Sequence, residues 1–234
     1  MKPTNKFKFS FFLIFTFMSC SAFAASLLTF DKYNFSVVRD KKDISGYYVG
    51  QSHKSNKSKD ETIPRDCIFI FKKMHGEWPI TIWVVPQPVE RWDLSPYTEG
   101  RIHIDDNLWT INLSDRPNNC ASKPDGDQFL TPVLSPKDLI NPFPSNQENS
   151  GAKFTVTRST PAIGIRWTTE AATIFHFVNR IFNETNTSLP VAQPVTLIKM
   201  RGKFSLVRHV NPANGEITNV WVKTSTLVNP FPRN

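Results

Sequence analysis

The chain has 234 residues, with 28 Lys+Arg against 20 Asp+Glu and a formal net charge of +8. Three of those lysines lie in the first 24 residues, which leaves 25 basic against 20 acidic side chains, a net +5. About 210 residues after residue 24 suffice for one large domain or two modest ones. An excess of +5 suits contact with anionic envelope polymers or with an acidic protein partner, but an ordinary solvated surface is the preferred reading.

The N-terminus reads as an export signal. Lys2, Lys6 and Lys8 precede an apolar run from Phe9 to Met18, and Ala22-Phe23-Ala24 then forms the small-x-small pattern of a cleavage site. The apolar run is about half of the ~20 residues a membrane span needs, so residues 1–24 are expected to be a removed signal peptide and not an anchor. Charges and prolines interrupt every later apolar stretch, and no membrane span is expected. Cys20 raises a lipoprotein alternative, but Phe17-Met18-Ser19 before it lacks the Leu and small residue such a site uses, so a soluble exported protein is preferred. Removal of the leader leaves Cys67 and Cys120, an even pair for an oxidising compartment. A structural disulfide is favoured over two separate buried thiols. A metal site is disfavoured because no Cys or His stands at ligand spacing beside either one.

Eighteen prolines, and runs rich in Val, Ile, Thr and aromatics, argue for a mostly β protein. After a short lead-in, Ile44–Gly50 reads as a strand bracketed by glycines, and His53–Asp60 as a mobile polar loop. That basic run has no interleaved aromatics, which with export argues against nucleic-acid binding. Cys67–Lys73 and Ile80–Val85 form a predicted hairpin around His75-Gly76-Glu77. Arg101–Ile104 and Leu108–Leu113 form another around Asp105-Asp106-Asn107.

A second unit is expected after the polar stretch Ser145–Gly151. Phe154–Thr157 and Ile163–Trp167 read as its first strands. Thr169–Ile181 has apolar residues at helical spacing, with an extended strand as the alternative. Pro194–Met200 and Phe204–Val210 form a hairpin through Arg201-Gly202, and Asn214-Gly215 turns the chain into Thr218–Lys223. The octets 139–146 and 227–234 share the pattern Leu-x-Asn-Pro-Phe-Pro-x-Asn at a spacing of 88 residues. Both halves are thus expected to close on a tail whose proline-flanked Phe docks at little entropic cost. The expected division is residues 25–146 as an N-terminal β domain with one disulfide, and 152–234 as a C-terminal β domain.

The segment 197–228 resembles the end of a bacterial Src-homology-3-like domain. The residues that carry this are Gly202, Phe204-Ser205-Leu206-Val207, Asn214-Gly215, Trp221-Val222-Lys223-Thr224-Ser225 and Leu227. The sequence departs from the family pattern at Val220, which replaces a Gly, and at Phe204, which replaces a Trp. The resemblance implies a small β-barrel with a one-turn helix, in a family whose members include binders of cell-wall peptides and simple adaptors. Ser45–Gly50 followed by Cys67–Ile70 resembles small periplasmic β-barrel proteins, among them inhibitors of wall-degrading enzymes.

Catalytic constellations are not visible. The nine glycines are scattered, His53, His75, His103, His176 and His209 stand alone, and Asp105-Asp106 sits in a tight turn. No catalytic residue, metal ligand or cofactor is assigned. Pro86–Tyr97 is a proline-stiffened loop that brings together Arg91, Trp92 and Tyr97, the residue types that anchor protein interfaces, with a loop folded back on its own core as the alternative. The expectation is therefore a periplasmic, non-catalytic protein that binds another protein, as an immunity or inhibitor-type partner of an envelope-targeting enzyme. The alternatives are a peptidoglycan- or glycan-binding module, and an envelope hydrolase.

Overall fold

Residues 25–41, 43–56, 61–75, 80–86, 98–113 and 151–231 are described by the structure, a computed structural model. Eight strands run in sequence: β1 (Ala25–Phe30), β2 (Phe35–Asp40), β3 (Asp43–Asn56), β4 (Glu61–His75), β5 (Ile80–Pro86), β6 (Thr98–Asp105), β7 (Leu108–Leu113) and β8 (Ala152–Ala162). Each pairs antiparallel with the next, and β8 returns to pair with β1, so the sheet closes into a barrel. Side chains alternate along each strand, and one set fills the interior. Phe35, Phe71, Phe154, Tyr48, Phe69, Ile102, Trp109 and Ile111 are fully buried there. The Phe35 ring stacks on Phe154 at 4.2 Å between centroids and on Phe71 at 5.5 Å.

Both predicted hairpins of this unit are present, as β4 with β5 and β6 with β7. Asp105 pairs with Leu108 across a two-residue turn in which Asp106 takes φ +50°, so the acidic pair serves the turn. Three expectations are corrected. The lead-in contains two strands, β1 and β2. The polar run from His53 remains strand to Asn56, pairing out to Glu61, because a backbone ladder set by the buried Tyr48–Phe69 pairing continues whatever its side chains. Most consequentially, Phe154–Thr157 does not open the second unit. It belongs to β8, which supplies the last staves of the barrel.

Ile163 alone separates β8 from the second sheet, so the units join without a linker. That sheet comprises β9 (Gly164–Thr168), β10 (Ala172–Val178), β11 (Ile181–Leu189), β12 (Pro194–Arg201), β13 (Phe204–Val210), β14 (Ile217–Lys223) and β15 (Leu227–Val228). Its order is β11-β10-β14-β13-β12-β9-β15. The predicted helix over Thr169–Ile181 is absent. Those residues form β10 and the start of β11, joined by a hairpin turn at Asn179-Arg180 with φ +52° and +68°. The segment carries apolar residues on both faces, Ile174 and Val178 on one and Phe175 and Phe177 on the other, and this hides the two-residue period. The β12–β13 hairpin, the Asn214-Gly215 turn and a 3-10 turn at Thr224–Thr226 all occur where sequence placed turns or a one-turn helix. The chain is thus mostly β, built of two barrel-like units.

One face of the second sheet encloses its own core of Ala172, Leu189, Val195, Leu197, Val207 and Val222. The opposite face meets the barrel. Ile165, Trp167 and Phe231 pack with Leu27, Val38, Tyr47, Val49, Ile68 and Ile70 from the barrel's outer surface. Phe231, the proline-flanked Phe of the second octet, is seated in this shared core. Its counterpart octet, 139–146, lies outside the described residues.

Candidate functional site

The expected interface residues Arg91, Trp92 and Tyr97 lie outside the described residues, as do residues 1–24 and Cys120. Cys67 is fully buried on β4, facing the barrel interior. Among the described residues no three His, Cys, Asp or Glu side chains converge to hold a metal ion, and no helix is long and apolar enough to cross a membrane.

A different cluster stands out on the second sheet. The register places Phe175, Phe177, Phe182, Phe204, Leu206, Trp221 and Lys223 on one face, opposite the sheet's own core. Phe177 pairs directly with Phe182, Phe175 with Trp221, and Phe204 with Lys223. The barrel covers another part of this same face, where Ile165, Trp167, Thr196 and Arg208 lie. The rings are in mutual contact. Centroids are 3.9 Å apart for Phe182–Phe204, 4.6 Å for Phe177–Phe182, 4.9 Å for Phe175–Phe204 and 5.2 Å for Phe182–Trp221. Phe175 and Phe204 are buried, whereas Phe177, Phe182 and Trp221 are only half-buried. Aromatic pairs of this geometry contribute about 0.5–1.5 kcal/mol beyond burial, so the face is held rigidly.

Three exposed cations sit over these rings: Arg201 above Phe177 at 4.4 Å, Lys203 above Phe204 at 5.8 Å and Lys223 above Phe175 at 5.8 Å. The tight turn explains two of them. Gly202 takes φ +56°, as the first position of a two-residue hairpin turn of this kind requires, and so Arg201 and Lys203 flank the tip beside Phe204. A ring face attracts a cation without consuming its N–H donors, which leaves those donors available to an incoming anion. The site therefore combines a half-open aromatic floor with a cationic rim.

Sequence reading did not find this cluster. Its signal was the alternation Phe175-x-Phe177 with Phe204 and Trp221-x-Lys223, visible only once residues 172–178 are read as strand. A comparison with family models, curated proteins and solved structures finds no match.

Proposed function

We propose that this is an exported, periplasmic, non-catalytic protein that binds another protein, as the neutralising partner of an envelope-targeting enzyme. The observation that supports this reading most is the ring cluster with its cationic rim. Trp and Arg beside rigid, half-buried aromatics are the residue types that dominate binding energy at protein interfaces. Arg91, Trp92 and Tyr97 are proposed as a second contact patch. A Src-homology-3-like character of residues 197–228 belongs to the same reading, supported by the hairpin, turn, Trp-Val strand and one-turn helix following in that order.

The reading also includes a Cys67–Cys120 bridge, which in the chain-entropy model would stabilise by about 4 kcal/mol. Alkylation of the denatured, unreduced mature chain is then expected to label no thiol; labelling at both positions would overturn the bridge.

Half-open rings also favour a second reading, a glycan- or peptidoglycan-binding module, since ring faces stack on sugars as well as on side chains. A pull-down from the native envelope fraction, with the oxidised mature protein as bait, separates the two. Stoichiometric recovery of one protein is expected. Recovery of wall fragments without protein would replace the first reading with the second. Arg91→Ala combined with Trp92→Ala should weaken capture at least tenfold while the chain stays folded; unchanged capture would remove that loop from the interface.

A further inference from the structure

We propose that the face formed by Phe177, Phe182 and Trp221, rimmed by Arg201, Lys203 and Lys223, docks an acidic, extended segment of a partner protein as an added strand along β11. The inference rests on the protein-binding reading and names the partner's chemistry.

Two independent features of the second sheet support it. The first is charge. Arg201, Lys203 and Lys223 are exposed and converge on one ring cluster. Lys199 adds a fourth cation to the same face, paired in register with Leu206, while Glu184 opposite Phe175 is the acid that the register puts there. Such a surface repels a basic or neutral partner relative to one carrying carboxylates, and it steers the acidic one into place. The second feature is topology. β11 stands at the end of the sheet order and, among the described residues, pairs only with β10. Its 9 residues, Ile181–Leu189, are the stretch along which an incoming chain could extend the ladder. Phe182 lies on this edge strand, so the aromatic floor begins where the new strand would lie.

The two features select the same occupant. In an extended segment alternate residues point to one face. One alternate set would reach the Phe177–Phe182–Trp221 floor, with carboxylates nearby meeting the guanidinium of Arg201 and the ammonium groups of Lys203 and Lys223. Backbone pairing would give affinity without sequence preference, and the floor and rim would select acidic-apolar segments over others. A free polysaccharide anion could satisfy the rim but not the edge, having no amide ladder to offer.

The test uses the full mature chain and three nine-residue peptides, called Glu-Phe, Gln-Phe and Lys-Phe, whose odd positions alternate Phe with Glu, Gln or Lys so that both residue types share the face that meets floor and rim, and whose even positions are Thr. Binding is read by fluorescence anisotropy at low and moderate salt, with a soluble polyuronate as the glycan comparison. The Glu-Phe peptide is expected to bind at least tenfold more tightly than the Gln-Phe peptide, with an advantage that shrinks as salt rises. Lys-Phe should not bind. R201E combined with K223E should remove the Glu-Phe preference and favour Lys-Phe. Equal binding of all three peptides, or binding of the polyuronate alone, would overturn the proposal. A Glu-Phe peptide N-methylated at alternate residues cannot extend the ladder along β11, and undiminished binding of that peptide would overturn the added-strand geometry. The same charge-reversed chain is then used as bait on the envelope fraction. Loss of the protein captured by the wild type supports the docking face. Retention of that protein refutes this face while leaving the protein-binding reading intact; capture of no protein by either bait refutes that reading.

Discussion

Arg208 Nη1 donates a 2.8 Å hydrogen bond to Ser36 Oγ, joining β13 of the sheet to β2 of the barrel across 172 positions of sequence, with both side chains buried. Tyr47 and Thr196 make a second bridge, with their hydroxyl oxygens 3.3 Å apart. The units are therefore coupled by polar contacts as well as by the apolar core they share.

The consequence is asymmetric. Ser36→Ala removes an acceptor from a buried guanidinium, and hydrogen bonds to charged groups contribute about 1.5–3 kcal/mol. Arg208→Leu in that background removes the stranded charge and replaces it with an apolar side chain, which costs little or even stabilises. Urea denaturation should therefore find Ser36→Ala about 2 kcal/mol less stable than the wild type, and the double variant substantially recovered. A double variant no more stable than Ser36→Ala would contradict this account.

Gly215 offers a test that separates two effects at one position. Its φ of +71° is left-handed, and a Cβ there would overlap the Tyr33 ring of the barrel. Tyr33 is half exposed, so its ring can rotate away, whereas the backbone cannot relax as easily. Gly215→Ala should cost about 1–2 kcal/mol from the backbone, plus a smaller steric part. Adding Tyr33→Ala should relieve only the steric part. Full rescue by the second substitution, read from denaturation midpoints, would show that the backbone carries no strain.

Much of this architecture was legible from residues 67–113 and 194–223, where alternation and turn chemistry agree. Gly202 and Gly215 stand where left-handed turns are needed, and each was readable as a turn. Three features were not. β1 and β2 follow directly on the apolar sequence that runs from Phe9 to Ala24, which masks their alternation. β8 carries Phe154 into the barrel interior and Ala162 into the inter-unit core, so one strand serves two cores and local pattern cannot assign it to a unit. The ring cluster is spread over four strands, and its members converge only through the register of the folded sheet. Composition shows that aromatics and basic residues are present; it does not show that Arg201 lies over Phe177.

His209 makes stability depend on pH. It is buried on β13, Nε2 has no hydrogen-bond partner among the described residues, and burial pushes its pKa below the ordinary 6.5. The unfolded chain then binds a proton at a higher pH than the folded chain does. Stability from this group is fully present above pH 6.5 and declines as pH falls from there through the lower folded value. His209→Gln should flatten the wild-type loss of stability between about pH 7 and 5, the carboxylate contributions cancelling in the comparison. Parallel pH profiles for the two chains would show that the imidazole is not the responsible group.

Phe231 tests whether the two units unfold as one. It sits in the core shared by Leu27, Val38, Tyr47 and Ile70 of the barrel and Ile165 and Trp167 of the sheet. Its N–H donates to Asn229 Oδ1 at 3.2 Å, which fixes the tail's bend into that core. Truncating a buried Phe to Ala costs about 3–5 kcal/mol. Because the loss falls on the interface and not on either unit's own core, both should respond equally. Amide exchange at Phe69 and Ile111 in the barrel and at Val207 and Val222 in the sheet would then accelerate by the same factor in Phe231→Ala. Acceleration confined to Val207 and Val222 would mean that the barrel stands alone and the sheet depends on it. Unchanged exchange at all four would mean that the tail is a passenger on a surface already closed by Ile165 and Trp167.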